Sequence, residues 1–163
     1  MKPFIITILS LFILSCSSNY FSFTEENLFD KVFAASESKD SNNLSDSDLE
    51  QILLYISKGK VRWIDLYKVL SKEPFLSVAF FQEGLKISMA YALPERPSEV
   101  LKFVDESNIK FICGIPFIEP SQSEVNSYYL KTTTALKNTT FNEHWKNKCL
   151  TTLNETMSRK NQT

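Results

Sequence analysis

Glycine is scarce in this chain: there are three, Gly59, Gly84 and Gly114, in 163 residues. Few positions can adopt positive φ without strain, which disfavours tight hairpins and leans the fold toward helices. Three scattered glycines also cannot build a phosphate-cradling loop, and no G-x-S-x-G nucleophile elbow occurs. Histidine is rarer still. His144 stands alone, so a histidine-rich metal site is excluded, and no cysteine or carboxylate cluster has ligand spacing. No metal and no cofactor is expected. An excess of positive charge is missing too, with 18 Lys plus Arg against 19 Asp plus Glu. The charges are interspersed and form no basic patch or stripe, so no nucleic-acid partner is expected. The carboxylate pairs Glu25-Glu26 and Asp105-Glu106 are sequence neighbours that do not face each other on a helix. They read as solvated surface and not as acid/base pairs, and no catalytic residue is assigned.

Long apolar runs are also absent. The longest, residues 4–14, is interrupted by Thr7 and Ser10 and falls short of the roughly 20 residues a spanning helix needs. With Lys2 before it, the run has the length of a signal-peptide core, about 7–15 residues. Ile13-Leu14-Ser15-Cys16 follows: an aliphatic residue, two tolerant positions with the small one last, then cysteine. This resembles the bacterial lipobox. The resemblance implies that residues 1–15 are a lipoprotein signal peptide and that Cys16 receives a diacylglycerol and becomes the acylated N-terminus. Membrane lipid would then be a partner through Cys16. Two or more chains anchor stably, because each buried CH₂ contributes about 0.8 kcal/mol. Ser17 in the next position resembles lipoproteins sorted to the outer membrane, which places the protein in the bacterial envelope facing the periplasm. In such a protein the N-x-S/T sequons at Asn138, Asn154 and Asn161 are not read as glycosylation sites.

What is present is an ordinary globular composition, 43% hydrophobic and 23% charged, with Phe abundant at 13 residues. That suffices for one hydrophobic core without a metal. Residues 16–23 read as a tether and 24–157 as a single domain. Ser22-x-x-Glu25 has the form of a capping box, followed by helical spacing of Leu28, Val32 and Ala35. Residues 36–47 are a polar loop. Ser47-x-x-Glu50 forms a second box, followed by Leu49, Ile52, Leu53 and Ile56, with Lys58-Gly59 as the stop. Trp63, Leu66, Tyr67 and Leu70 make the next stripe. Residues 75–92 are apolar on most faces, which predicts a central helix. Pro97 suits a first helical turn. Residues 109–116, with Ile109, Phe111, Ile112 and Ile115, predict a short extended segment packed on the core. Ser121-x-x-Glu124 opens a helix to about Leu136 whose apolar face is Val125, Tyr128, Tyr129, Thr132 and Leu136. A last helix spans 141–157 with Trp145, Cys149, Leu150 and Leu153 on one side, and 158–163 is a polar, frayed tail. The fold class is all-α, a compact irregular helical bundle, with stacked helix pairs as the alternative.

Cys16 aside, Cys113 and Cys149 form an even pair in an exported chain, where thiols usually pair. A bridge would fasten the extended segment to the last helix and close a loop of about 37 residues, worth roughly 4 kcal/mol in the chain-entropy model. The alternatives are two buried free thiols or a reactive cysteine. For the latter the only histidine, His144, lies five residues before Cys149 and is not helically adjacent to it. The run Ala92-Leu93-Pro94-x-x-Pro97-x-x-Val100-Leu101, then Cys113-Gly114-Ile115-Pro116-Phe117-Ile118-Glu119, then Cys149-Leu150, resembles a group of small exported helical proteins of bacteria without an assigned activity. The resemblance spans residues 49–153. It implies a helical fold and the Cys113–Cys149 bridge, and it transfers no catalytic residue.

The amphipathic rings of Trp63, Tyr67, Tyr128, Tyr129 and Trp145 are candidates for a binding surface, with core packing as the competing role. Anchor, tether and the lack of a catalytic constellation together predict a membrane-anchored module that binds an envelope protein. Its sharper form is an immunity or inhibitor protein. A structural accessory subunit of an envelope or secretion assembly is the alternative, followed by an enzyme of unrecognised type.

Overall fold

Helix boundaries in this chain are decided by a handful of polar side chains and by left-handed residues such as Lys39 and Gly59. The computed structural model describes the backbone of residues 17–160 and the side chains of residues 25–159. Among the described residues all regular structure is helical, with no strand. The helices are α1 (Ser17–Ser38), α2 (Asp46–Ser57), α3 (Val61–Ile64), α4 (Tyr67–Leu70), α5 (Ala79–Ala92), α6 (Pro97–Leu101), α7 (Ile109–Ile112), α8 (Gln122–Asn138) and α9 (Glu143–Lys160), plus a 3₁₀ turn at Phe75–Ser77. The signal segment 1–15, Cys16 and residues 161–163 lie outside the described residues.

The fold is all-α, as the periodicity predicts, but several boundaries differ. The backbone is already helical at Ser17, so α1 starts upstream of the Ser22-x-x-Glu25 pattern. Extending an existing helix adds one backbone hydrogen bond per residue ordered, which outweighs a local capping option. The polar loop is shorter than 36–47. Helix α1 runs on to Ser38 and stops where Lys39 takes φ 54° and Asp40 N–H donates to the Ala35 carbonyl at 3.2 Å. That is the six-to-one closure of a Schellman motif. The next box is Ser45-x-x-Asp48 and not Ser47-x-x-Glu50. Asp48 also takes a hydrogen bond from the Lys31 ammonium at 3.1 Å, so this choice of cap ties α2 to α1. At the other end of α2, Gly59 at φ 71° ends the helix, with Lys60 N–H donating to the Tyr55 carbonyl at 3.1 Å. Pro97 at the start of α6 and the Ser121–Glu124 box of α8 are as predicted.

Residues 109–112 are a helical turn and not an extended strand. Asp105 Oδ1 accepts the N–H groups of Ser107 and Asn108, at 2.8 and 3.1 Å, and the Asn108 amide donates to the Phe103 carbonyl at 2.9 Å. These local bonds preorganise the turn, and β-branching in Ile109 and Ile112 is outweighed because both side chains are buried. Phe111 does not join the core: it is 57% exposed. The central helix is also less enclosed than its composition suggests. Phe81, Leu85 and Met89 of α5 are buried against α2 and α7, whereas Phe80, Ile87 and Tyr91 form an outward stripe at helical spacing. The last helix continues past Met157 to Lys160, so residues 158–160 are helical and not part of a frayed tail.

One core joins α1 to α9. It contains Leu28, Val32, Ile52, Ile56, Trp63, Leu70, Phe75, Phe81, Leu101 and Ile112 together with Cys113 and Cys149. Helix α8 packs on α9, and α9 also packs on α7. The segment between α7 and α8 lies at the surface.

Candidate binding surface

The two paired cysteines define one root of that segment. Cys113, just after α7, and Cys149, in α9, are joined by a disulfide with their Cα atoms 5.0 Å apart, and both are fully buried. Neither is then available as a nucleophile. His144 is exposed in the first turn of α9 with its ring edge-on to Trp145 at 4.9 Å. Among the described residues no group of three or more His, Cys, Asp or Glu is placed to hold a metal ion.

The remaining predicted site residues divide. Trp63 and Tyr67 are core residues, Trp63 with no exposure at all. Tyr129 and Trp145 are half-buried, and the Tyr129 hydroxyl donates to Asn154 Oδ1 at 2.8 Å, joining α8 to α9. The carboxylate pairs are not merely solvated. Glu25 accepts from the Lys60 ammonium and from the Trp63 indole N–H at 2.8 Å. Glu26 pairs with Arg62, Asp105 caps the turn of α7, and Glu106 pairs with Lys148. Burial pushes the Glu25 carboxyl up, but the hydrogen bonds from Lys60 and Trp63 and the charges of Lys60 and Arg62 more than reverse this. The group lies below the ordinary carboxylate range.

Beyond the disulfide the chain turns sharply. A Cβ on Gly114 would stand 2.6 Å from the Lys110 carbonyl oxygen, a backbone atom that cannot yield, so only glycine lets the chain leave α7 this way. Residues 115–120 then form a surface loop, bracketed by Pro116 and Pro120, whose rings restrict the backbone. Phe117 folds inward. Its ring meets Tyr91 of α5 at 5.6 Å and Tyr128 of α8 at 5.4 Å, both edge-to-face. Tyr128 is itself fixed, donating to the Ala90 carbonyl at 2.8 Å. Burial holds its phenol well above the usual tyrosine range. The next residue, Ile118, points the other way and is 88% exposed. Glu119 at φ 49° turns the chain back toward the Ser121 cap of α8. The loop is therefore pinned at a disulfide, at an aromatic contact and at a helix cap, and it displays an aliphatic side chain at its tip.

Beside the tip lies a cleft of about 480 Å³ between α5 and α8, walled by Tyr91, Phe117 and Tyr128 and rimmed by Glu95, Glu124 and Lys131. Lys131 pairs with Glu95. Among the described residues no cation pairs with Glu124. Its Oε2 accepts both the Ser121 hydroxyl at 2.7 Å and the Ser121 N–H at 2.9 Å, which holds the carboxyl below its ordinary range. Burial raises the Tyr91 phenol, and the Glu124 charge, on the same cleft, raises it further.

Of this surface only Tyr128 stands out in the sequence as a binding candidate, and Phe117 and Ile118 only as part of a resemblance. A usable signal was present: two bulky apolar residues between two prolines, in a segment flanked by a helix stop and a capping box. No family model, no curated protein and no solved structure matches this chain. Among the described residues no helix is long and apolar enough to cross a membrane.

Proposed function

We propose that this chain is a lipid-anchored bacterial envelope protein that binds another envelope protein through the tip at residues 115–120. The observation that carries the reading is Ile118, 88% exposed on a loop fastened at both ends. Leaving a large aliphatic side chain in water forgoes the roughly 1.5–3 kcal/mol that burial would contribute. A loop already ordered loses little conformational freedom when a partner covers it. The phenylalanine at its base and the aliphatic tip together have the form of an interface anchor. The lipobox at Ile13-Leu14-Ser15-Cys16 supports attachment through an acylated Cys16, and Ser17 supports the outer membrane, facing the periplasm. An inhibitor of an envelope hydrolase is the sharper form of this reading.

A photo-cross-linking residue at position 118 of the full chain, in its native envelope, tests it. One dominant protein adduct is expected, absent when the cross-linker replaces Lys137 on the far turn of α8. A hydrolase in that adduct supports inhibition, and a secretion or envelope-assembly component supports an accessory role. No adduct at position 118 overturns the proposal. The intact mass of the membrane-extracted protein checks the anchor independently: an unmodified Cys16 removes it.

A further inference from the structure

A recurrent unit in this molecule is a ring, a cation over it and a carboxylate that holds the cation. Arg62 lies 3.4 Å from the Phe29 ring centre and pairs with Glu26. Lys60 lies 4.0 Å from the Tyr55 ring and pairs with Glu25. Lys148 lies 5.1 Å from the Trp145 ring and pairs with Glu106. Each combines the attraction of a cation for an aromatic face with an ion pair.

The cleft beside the tip has two parts of this unit and lacks the third. Tyr91, Phe117 and Tyr128 supply the rings, and Glu124 supplies a carboxylate whose Oε1 is not used by the helix cap. Among the described contacts no cation lies over any of the three rings, and the one ammonium on the rim, Lys131, is held by Glu95. Tyr128 is buried and serves as the floor, so the ring faces open to a ligand are those of Tyr91 and of the half-buried Phe117. Tyr91 remains 37% exposed. Two carboxylates against one ammonium leave the rim with a net negative charge, which disfavours an anionic ligand.

We propose that this cleft receives a lysine or arginine side chain of the protein partner, which supplies the cation that Tyr91, Phe117 and Glu124 lack. The proposal rests on the reading of the loop tip as a protein-binding surface and adds the partner's chemistry: a basic side chain placed next to the socket that takes Ile118. The apolar contact at Ile118 and the charged contact at Glu124 then come from the loop and from the first turn of the helix it leads into, which fixes the orientation of the partner as well as its position.

The test uses the full lipidated chain in detergent micelles, with labelled Tyr and Phe, titrated with N-acetyl-arginine amide and N-acetyl-lysine amide. N-acetyl-norleucine amide is the uncharged control. Saturable shifts at Tyr91 and Phe117 are expected for the cationic probes alone, weakening as salt is raised. Glu124→Gln should weaken probe binding by about threefold, the size of an exposed ion pair. Glutamine still serves the third position of a capping box, so α8 keeps its start and the variant reports charge. Equal shifts with the norleucine probe, or unchanged affinity in Glu124→Gln, would overturn the proposal. With the cross-linker moved to the exposed neighbour Glu119, Ile118→Ser leaves the cleft walls in place and should leave probe affinity unchanged while removing the partner adduct. A lost adduct with intact probe binding therefore separates a failure at the tip from a failure at the cleft.

Discussion

Two regions of this bundle are built from the same kinds of residue and treat them differently. Where α1 meets α2 and α3, Phe29, Tyr55 and Trp63 stack at 5.2–5.4 Å with Trp63 wholly buried, and Glu25, Glu26, Lys60 and Arg62 pair across the junction. Where α5, the loop after α7 and α8 meet, Tyr91, Phe117 and Tyr128 stack at similar spacing, yet among the described residues the Glu124 carboxylate meets no cation, and Ile118 stands in water. Completion of the contacts, and not composition, separates a joint from a surface that can take a partner.

The largest expected effect lies at the joint. Trp63→Ala removes a fully buried indole and the donor to Glu25, and should cost about 3–5 kcal/mol in urea unfolding, with α1 losing amide protection first. A loss below 1 kcal/mol would mean that the joint does not hold α1. Cys113→Ser comes next. Opening a 36-residue separation should cost up to about 4 kcal/mol under oxidising conditions and sharpen proteolysis at residues 115–120. An unchanged melting temperature would show that the loop is held by Phe117 and the Ser121 cap alone.

Acid titration is expected to have a smaller effect. For Asp48 burial acts upward, but the hydrogen bonds from Ser45 and Lys31 prevail, so its folded value, like that of Glu25, is depressed. A depressed carboxylate contributes stability that is complete above its unfolded value, 4.5 for Glu25 and 3.8 for Asp48. That stability is lost as pH falls through the folded value. The melting temperature should therefore drop below about pH 4.5, and Glu25→Gln should flatten that slope; an identical slope would assign the acid sensitivity elsewhere. Ile118→Ser should change stability least, within about 0.5 kcal/mol by chemical denaturation, because the side chain contacts solvent. A larger loss would show that the tip packs in the folded domain.

Local signals were legible where they act over a few residues. The Ser121–Glu124 box, the stop at Gly59, Pro97 at the start of α6 and the buried stripes of α1, α4 and α8 all follow from spacing or from one side chain bonding its own backbone. The polar region 36–47 was harder because it holds two overlapping capping patterns. Lys31, from the facing helix, favours Asp48 and with it Ser45. Residues 109–112 looked extended because isoleucine favours strands, while the staple made by Asp105 and Asn108 lies just upstream.

Composition and periodicity by themselves determined that the described chain is helical and supplied most of its core, because burial of an apolar stripe is a property of local spacing. The even cysteine count pointed to the pairing of Cys113 with Cys149 in the same way. Only the tertiary structure decided which rings became core and which became walls. Phe117 and Ile118 are adjacent and similarly apolar, yet one is held between Tyr91 and Tyr128 and the other is left in solvent. That division depends on residues 26 positions before Phe117 and 11 after it, brought together by the packing of α5 and α8 around a pinned loop.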